Sequence, residues 1–384
     1  MKLKLDCRHF RGDKPCRFAC GCEGCAHYAP MGKRILIVKL DAIGDVARTS
    51  TILRPLHAKY DPCHITWLVH PSAEEMLRGN PLIDAVLPYR PEALEPLRAQ
   101  KFDLVLSLDK TPRATAVAMG SNASEKLGFG LSEFGTVFPL NPEAEYAFQL
   151  GLDDELKFKR NRKTYQEVLF EAIKLPYAKD EYAIEIDDCD RRHAEALFEK
   201  LDVAPLTVVV GLNLGGGSAF ANKMWNAACA TAFLDALMKE LPCKALLFGA
   251  ERERAAIEQI LAAGRPNVFS AGTENTIRQF QALLGRCTVV VTGDSLGMHL
   301  AIAEKRPVVA LFGPTCAQEI ELYGRGEVIT AATHCAPCYR PECARNPTCM
   351  QAIEPGPVVA AVKRCLSGRG GAVTASRPFG AVDS

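Results

Sequence analysis

The chain has 384 residues, of which 48% are hydrophobic and 24% charged, enough to bury the cores of two ordinary domains. Its 46 Lys and Arg residues against 45 Asp and Glu leave a formal net charge of +1, which provides no overall positive field and argues against a nucleic-acid-binding protein. No apolar run approaches the roughly 18 residues that span a bilayer, and the N-terminus lacks the apolar core of a signal peptide, so we expect a cytoplasmic protein.

Residues 1–30 form a cysteine-rich segment that is too polar to bury a core of its own. Five of the 16 cysteines of the chain lie between positions 7 and 25, and without an export signal we do not expect them to pair as disulfides. A tetrahedral zinc ion takes four thiolates, and its binding would fold the segment. The predicted ligands are Cys7, Cys16, Cys22 and Cys25. The competing ligands are Cys20, His9 and His27. The alternative is a reduced, disordered tail.

Residues 31–185 show the alternation of apolar strands and helices that is typical of an α/β domain with a parallel sheet. The predicted strands are residues 33–40, 64–70, 84–89 and 102–108. Ligands bind beyond the carboxyl ends of such strands, so we expect the turn at 41–45 and the loop at 109–113 to face the same site. Lys110 and Arg113 are then candidates for contact with an acceptor, and ordinary surface charge is the alternative.

The stretch from 120 to 165 is less regular and contains a basic run at 157–163, with five positive charges in seven residues. Such a run either meets an anionic acceptor or a membrane surface, or is a solvated face. A helix is predicted at 164–174. The looser stretch at 176–190 is predicted to connect two domains.

Residues 190–366 repeat the α/β pattern, with predicted strands at 206–213 and 243–249. The triple glycine at 215–217 does not match a dinucleotide-binding GxGxxG and instead indicates a flexible loop before Lys223. The stretch 287–315 is a complete βαβ unit, because a β-branched run is followed by a turn at 293–295, an apolar helix and a second buried run. Ser295 is the predicted N-cap of this helix, whose free N–H groups would suit a phosphate.

This βαβ unit also carries a family resemblance. Asp294 and Ser295, followed by Gly297 and His299 and then by VVALFGPT at 308–315, resemble the donor-site signature of glycosyltransferase family 9, the ADP-heptose:lipopolysaccharide heptosyltransferases. The usual pattern is Asp-Thr-Gly-x-x-His, whereas here Leu296 stands at the glycine position and glycine follows one residue later. With further matches, the resemblance covers roughly residues 33–366.

The resemblance implies the GT-B architecture, in which two Rossmann-like domains face each other across a cleft. The acceptor would bind to the first domain and the nucleotide sugar to the second. The implied reaction is inverting transfer of a heptose from an ADP-heptose-type donor to a lipopolysaccharide or other surface-glycan acceptor, without a catalytic metal ion. Such an enzyme would work in the cytoplasm or at the inner face of the cytoplasmic membrane, where contact with the membrane surface would bring it to its acceptor.

The same resemblance implies roles for individual residues. Asp45, in the Gly-Asp that starts the first helix, would be the catalytic base, although a first-turn carboxylate that favours the helix dipole is the alternative. Lys223, in Lys-x-Trp, would contact the donor diphosphate. Glu251 would bind the nucleoside through ribose hydroxyls, since a carboxylate can accept two hydrogen bonds from a cis diol. The remaining donor-binding residues are Asp294, Ser295, Gly297 and His299.

A second cysteine cluster lies in the loop 334–350, after the last predicted strand. Its spacing suits one zinc or iron ion held by four thiolates, and the alternative is free cysteines or a regulatory disulfide. The predicted ligands are Cys335, Cys338, Cys343 and Cys349. Residues 367–384 are predicted to be disordered.

Two other function classes fit part of the pattern. The cysteine clusters are compatible with a metal- or redox-regulated assembly protein that keeps only a nucleotide-binding shell. The fold is also compatible with an epimerase that acts on the nucleotide sugar and needs no acceptor. Asp45, Lys223 and Asp294 together favour the transferase, because they supply a base and a diphosphate site in one chain.

Overall fold

The computed structural model describes residues 2–217 and 221–368, and the chain forms two compact units. The first unit comprises residues 2–154 and Gln166–Glu185. The second comprises Glu155–Tyr165 and the described residues from Ile186 onward. Glu155–Tyr165, which contains the whole basic run, therefore groups with the second unit, whereas the predicted boundaries place it in the first domain.

The first unit is built on a sheet whose strand order is β3-β2-β1-β4-β5-β6, parallel except for β6. Its strands are β1 Lys33–Val38, β2 Cys63–Val69, β3 Ala85–Pro88, β4 Lys101–Ser107, β5 Asn122–Leu131 and β6 Val137–Pro139. Its helices are α1 Ile43–Thr49, α2 Leu53–Tyr60, α3 Pro71–Leu77, α4 Pro91–Ala99, α5 Pro112–Gly120, α6 Glu145–Gln149 and α7 Tyr165–Ala172.

The centre of this sheet determines where the first candidate site lies. Residues 35–38 of β1 are fully buried, as expected for a parallel strand covered on both faces. Because β1 and β4 run in parallel register, with Val38 opposite Ser107, they end side by side. The residues that follow the two strands are therefore neighbours, although about 70 positions separate them in the sequence.

Strand β5 was not predicted, because residues 120–165 look irregular in the sequence. The amino-terminal half of β5 is polar and largely exposed, and its carboxyl-terminal half is buried. It pairs with β4 in parallel and with β6 in antiparallel fashion. The strand is therefore defined by its neighbours in the sheet, since its own sequence lacks a clear period of two.

The second unit contains a fully parallel sheet with the strand order β12-β11-β10-β7-β8-β9. Its strands are β7 Val209–Asn213, β8 Lys244–Phe248, β9 Val268–Ser270, β10 Val289–Gly293, β11 Val308–Phe312 and β12 Gly326–Thr330. Its helices are α8 Asp188–Lys200, α9 Ala227–Glu240, α10 Arg254–Leu261, α11 Ile277–Arg286, α12 Leu296–Ala303 and α13 Pro355–Leu366.

The register of the second sheet brings three strand ends together. Asn213, the last residue of β7, lies opposite Thr292 of β10 on one side and Phe248 of β8 on the other. Lys223, Glu251 and Asp294 all follow these strands in the sequence. The predicted α/β class with two parallel-sheet domains is thus confirmed.

Two parts of the remaining chain bear on the predictions. Residues 369–384 of the predicted disordered tail lie outside the described residues, as do residues 218–220 of the predicted flexible loop. Among the helices of the described residues, none is both long enough and apolar enough to cross a membrane.

Candidate active site

Asp45 lies in the first turn of α1, directly beyond the carboxyl end of β1. Its carboxylate lies 2.8 Å from Arg48 Nη2, one helical turn further on, and 3.7 Å from Lys39 Nζ. The side chain is about one-third exposed, at 34%. A carboxylate in this position is held by two cations and still reaches solvent, so it can accept a proton from a bound hydroxyl.

Lys39 and Asp109 form a buried ion pair next to Asp45. They are only 4% and 5% exposed, and Lys39 Nζ donates a hydrogen bond to Asp109 Oδ1. The other carboxylate oxygen accepts the backbone N–H of Leu40. Burial raises the pKa of Asp109, while the Lys39 ammonium acts in the opposite direction. Lys39 was not predicted as a site residue, because a Lys at the end of a strand carries no signal of its own.

The two predicted acceptor-side cations have different surroundings. Arg113, on α5, forms an ion pair with the carboxylate of Asp41, so the loops after β1 and β4 do meet. Lys110 is exposed, and its ammonium donates to the carbonyl of Ala147. Arg113 therefore lies beside the loop that leads to Asp45, whereas Lys110 is directed toward α6. A role for either residue in acceptor binding stays a prediction.

In the second unit, Lys223 and Asp294 lie together. Lys223 Nζ donates to Asp294 Oδ2 at 2.9 Å, and both side chains are about one-fifth exposed. Asp294 follows β10 and precedes α12, whereas Lys223 belongs to a 3-10 turn before α9. Gly293 permits this approach, because a Cβ atom there would lie 2.3 Å from the carbonyl oxygen of Lys223. The ion pair thus places a cation at the amino-terminal end of α12.

Ser295 occupies the N-cap position of α12, as predicted, but its side chain makes no capping hydrogen bond. Its hydroxyl is used elsewhere, since it lies 3.0 Å from Asn213 Nδ2 and 3.1 Å from Thr292 Oγ1. Asn213 joins β7 to this turn and also bonds the backbone of Gly215. The first turn of α12 is therefore held in place by side chains from β7 and β10, and no N-cap side chain occupies its N–H groups.

Packing accounts for the glycine at position 297 in place of 296. A Cβ atom at Gly297 would lie 2.6 Å from Asn213 Nδ2, so only glycine fits against the amide that organises the turn. Leu296, at the usual glycine position, is partly exposed. His299 is 4% exposed on the buried part of α12. Its position suits a residue that orients the turn.

The acidic residues after β8 divide into an exposed one and a buried one. Glu251, predicted to bind the nucleoside, is 70% exposed and accepts two hydrogen bonds from Arg254 Nε and Nη2, which lower its pKa. Glu253 is only 13% exposed and accepts the backbone N–H of Ala250. A Cβ atom on Gly215 would lie 3.7 Å from Glu253 Oε2, which places this carboxylate beside the loop after β7. Glu253 was not predicted as a site residue, because Glu251 and Glu253 lie in the same turn and the sequence does not show which of them is the less exposed.

Comparison with known proteins identifies the family of the chain. The family model described as glycosyltransferase family 9 (heptosyltransferase) matches residues 92–348. The chain belongs to glycosyltransferase family 9. The family 9 chain is therefore a glycosyltransferase, as predicted from the sequence.

Individual relatives of the family 9 chain are distant in sequence. The lipopolysaccharide core heptosyltransferase OpsX of Haemophilus influenzae is 23% identical over 299 residues, which cover 73% of this chain and 79% of that protein. The solved glycosyl transferase family 9 protein of Veillonella parvula superposes with a TM-score of 0.70 at 19% identity, covering 87% of this chain and 97% of the other. The dodecameric iron-containing heptosyltransferase TibC, solved with ADP-D-beta-D-heptose, superposes with a TM-score of 0.51 at 12% identity. The match covers 88% of this chain and 77% of the TibC chain.

The basic run of this family 9 chain is anchored to the loop that carries the second cysteine cluster. The rings of Phe158 and Tyr339 stack with their centroids 5.4 Å apart. Lys157 Nζ lies 3.7 Å from the centre of the Tyr339 ring. The carbonyl of Lys157 accepts a hydrogen bond from Gln318 Nε2 at 2.9 Å. Its neighbour Lys159 is exposed. The run is therefore a fixed part of the second unit with part of its charge directed to solvent.

The amino-terminal cysteines line a shared cavity of about 20 Å³. The thiols and imidazoles around it belong to Cys7, Cys16, Cys20, Cys22, Cys25, His9 and His27. Cys20 Sγ lies 3.4 Å from Cys25 Sγ, and this contact raises the pKa of Cys20. Zinc-bound sulfurs lie roughly 3.8 Å apart, given Zn–S bonds of about 2.3 Å. Cys20, considered only as a competing ligand, is thus among the converging thiols.

The second cysteine cluster is looser. Burial is the main cause of the raised pKa of Cys349, and charges on Cys338, Cys343 and Cys335 raise it further. In the described ranges, however, no three side chains of His, Cys, Asp or Glu are arranged to hold a metal ion. Both clusters supply the thiolate chemistry that zinc and iron take, and metal binding stays a prediction.

Proposed function

We propose that this protein transfers a heptose from ADP-heptose to a lipopolysaccharide-core acceptor, with inversion at the anomeric carbon. The observation that carries the proposal is the Lys223–Asp294 pair at the amino-terminal end of α12. A diphosphate binds well to a cation beside the N–H groups of a helix N-terminus, and α12 has Lys223 at its start and no hydrogen bond from its N-cap side chain. The heptose and lipopolysaccharide specificity is inferred from relatives such as the Haemophilus OpsX protein.

The donor half of the site would act on the leaving group. When the bond from the anomeric carbon to the diphosphate oxygen breaks, negative charge develops on that oxygen. Lys223 and the first turn of α12 would stabilise it, and an electrostatic contribution of this kind is usually the largest in catalysis. We assign the nucleoside to Glu251 and Glu253, of which Glu253 is the less exposed and lies closer to Gly215.

The acceptor half of the site would act on the nucleophile. The acceptor hydroxyl oxygen forms the new bond to the anomeric carbon, and its proton passes to the carboxylate of Asp45. ADP leaves from the opposite face, which inverts the configuration. Arg113 and the exposed part of the basic run would contact phosphate groups of the acceptor or the membrane surface that carries it.

The proposal is tested with the purified full-length chain, ADP-heptose and a heptose-deficient lipopolysaccharide core. We expect ADP release that requires the acceptor, together with the gain of one heptose on the acceptor in mass spectrometry. A change in the sugar nucleotide without acceptor would instead indicate an epimerase. Absence of turnover with ADP-linked and UDP-linked donors, with oligomeric state responding to metal, would favour the assembly protein.

We also propose that each cysteine cluster holds one structural ion, either zinc or iron. The cavity shared by the amino-terminal thiols supports this for the first cluster, and the spacing of four cysteines in one loop supports it for the second. The TibC heptosyltransferase contains iron, which makes iron a candidate for this chain too. A closed four-thiolate site keeps no position for substrate, so its contribution would be to folding, at about 10–16 kcal/mol for peptide-sized zinc sites.

Elemental analysis of the reduced protein should find about two metal atoms per chain. Cys338→Ser should remove one equivalent and Cys22→Ser the other, because each substitution opens one tetrathiolate site. Cys189→Ser is the matched control, since this cysteine is exposed and belongs to neither cluster. Chelation should lower the melting temperature before it lowers turnover. A metal-free protein with full activity and unchanged stability would leave the thiols as free or redox-regulated groups.

A further inference from the structure

The buried Lys39–Asp109 pair calls for an explanation that the fold does not supply. Taking an ammonium and a carboxylate out of water costs several kcal/mol for each ion, and their mutual attraction often does no more than offset it. Replacing a buried ion pair by apolar residues of similar volume is often neutral or even stabilising. The two side chains are nevertheless almost completely buried at the carboxyl ends of adjacent strands.

The third partner of Lys39 supplies the explanation. Its Nζ donates to Asp109 Oδ1 and to the carbonyl of Asp41, the latter at 2.6 Å, and it lies 3.7 Å from Asp45 Oδ2. One ammonium is thus placed between a buried carboxylate and the carboxylate of the candidate base. The carbonyl of Asp41 holds it from the loop that leads into α1.

We propose that Lys39 positions Asp45 and keeps it in its ionised form, while Asp109 holds Lys39 and moderates its attraction for Asp45, which makes Lys39 a positioning residue for the general base. The inference rests on the proposed function in its assignment of Asp45. A cation within about 4–6 Å favours the carboxylate form, and both Lys39 and Arg48 meet that condition. Nearby, Asp41 forms an ion pair with Arg113, and Asp109 is paired with Lys39.

Asp109 has a role distinct from that of Lys39. A lysine that paired with Asp45 alone would hold its negative charge so tightly that the carboxylate would be a poor base. Asp109 takes part of the ammonium charge, so the attraction between Lys39 and Asp45 is moderated. When Asp45 becomes neutral by accepting the acceptor proton, Lys39 keeps a carboxylate partner, and no uncompensated buried charge is created.

The two members of the pair should therefore shift the pH–rate profile in opposite directions. Lys39→Met removes the cation, so Asp45 protonates more readily, and the acid limb of kcat/KM should move to higher pH by about one unit or more. Asp109→Asn removes the competing carboxylate, so Lys39 attracts Asp45 more strongly. The acid limb should then move to lower pH, and kcat should fall. ADP affinity should stay unchanged in both variants, since ADP binding is assigned to the second unit.

Loss of fold is separated from loss of positioning by a double variant. Lys39→Met leaves Asp109 buried and unpaired, which destabilises the first unit, whereas Lys39→Met/Asp109→Asn removes both charges and should recover stability. If the pair were purely structural, the double variant would regain both wild-type stability and the wild-type position of the acid limb. We expect instead that its acid limb stays displaced toward higher pH, as in Lys39→Met.

The outcome is distinguishable from failure of the proposed function. If Asp45→Asn turns over normally, the base itself is misassigned. If Asp45→Asn is inactive while Lys39→Met and the double variant keep the wild-type acid limb, the base assignment stands and the inference about Lys39 is overturned.

Discussion

Asp45→Asn is expected to lower turnover by about 10²- to 10⁴-fold, because it removes the proton acceptor but preserves the size and polarity of the side chain. The single carbonyl oxygen of asparagine can still accept the hydrogen bond from Arg48, which lies 2.8 Å from the Asp45 carboxylate, although the ion pair with Lys39 at 3.7 Å is lost. The fold should therefore persist. ADP affinity should be unaffected, since Asp45 belongs to the first unit and the nucleotide is assigned to the second.

The measurement is steady-state kinetics at saturating acceptor, with ADP binding followed by calorimetry. Asp154→Asn is the matched control, because it makes the same chemical change on an exposed carboxylate in the first unit. Near-normal turnover of Asp45→Asn would mean that Asp45 serves the helix dipole. Asp41 would then be the better alternative base, because Asp109 is 5% exposed and engaged by Lys39.

Lys223→Ala is expected to weaken ADP binding by about 10- to 100-fold, the range of a hydrogen bond between charged groups, and to leave adenosine binding almost unchanged. The difference arises because adenosine has no phosphate for the ammonium to meet. The loss includes a second contribution: without its partner at 2.9 Å, the carboxylate of Asp294 would repel the diphosphate.

Calorimetry with ADP and adenosine measures this contrast. The double variant Lys223→Ala/Asp294→Asn lacks both the ammonium and the carboxylate. Its ADP affinity, compared with that of Lys223→Ala, therefore measures how much of the loss comes from repulsion by Asp294. Lys239→Ala is the control, because this lysine is exposed near the end of α9. Equal losses for ADP and adenosine would assign Lys223 a structural role in holding the turn before α9.

Much of the architecture is predictable from local sequence, because buried parallel strands are short apolar runs separated by turn residues. Strands β1, β2, β4, β7, β8, β10 and β11 all follow this rule. The exceptions are β5, whose first half is polar and largely exposed, the three-residue strands β6 and β9, and β12, which begins with Gly and Glu. Hydrogen bonding to neighbouring strands defines them. In the sequence, the metal hypothesis rests on cysteine spacing, which identifies thiols but does not determine the geometry of a site.

The sequence by itself determined the α/β class and, through its resemblance to family 9, which positions to examine: Asp45, Lys223 and Asp294. These signals are local, since each depends on a strand, a turn and the start of a helix. Tertiary structure alone decided what surrounds them. Lys39 and Asp109 are 70 positions apart, and Asn213 and Ser295 are 82 apart. Such pairs meet only because parallel strands from distant parts of the chain end at the same edge of a sheet.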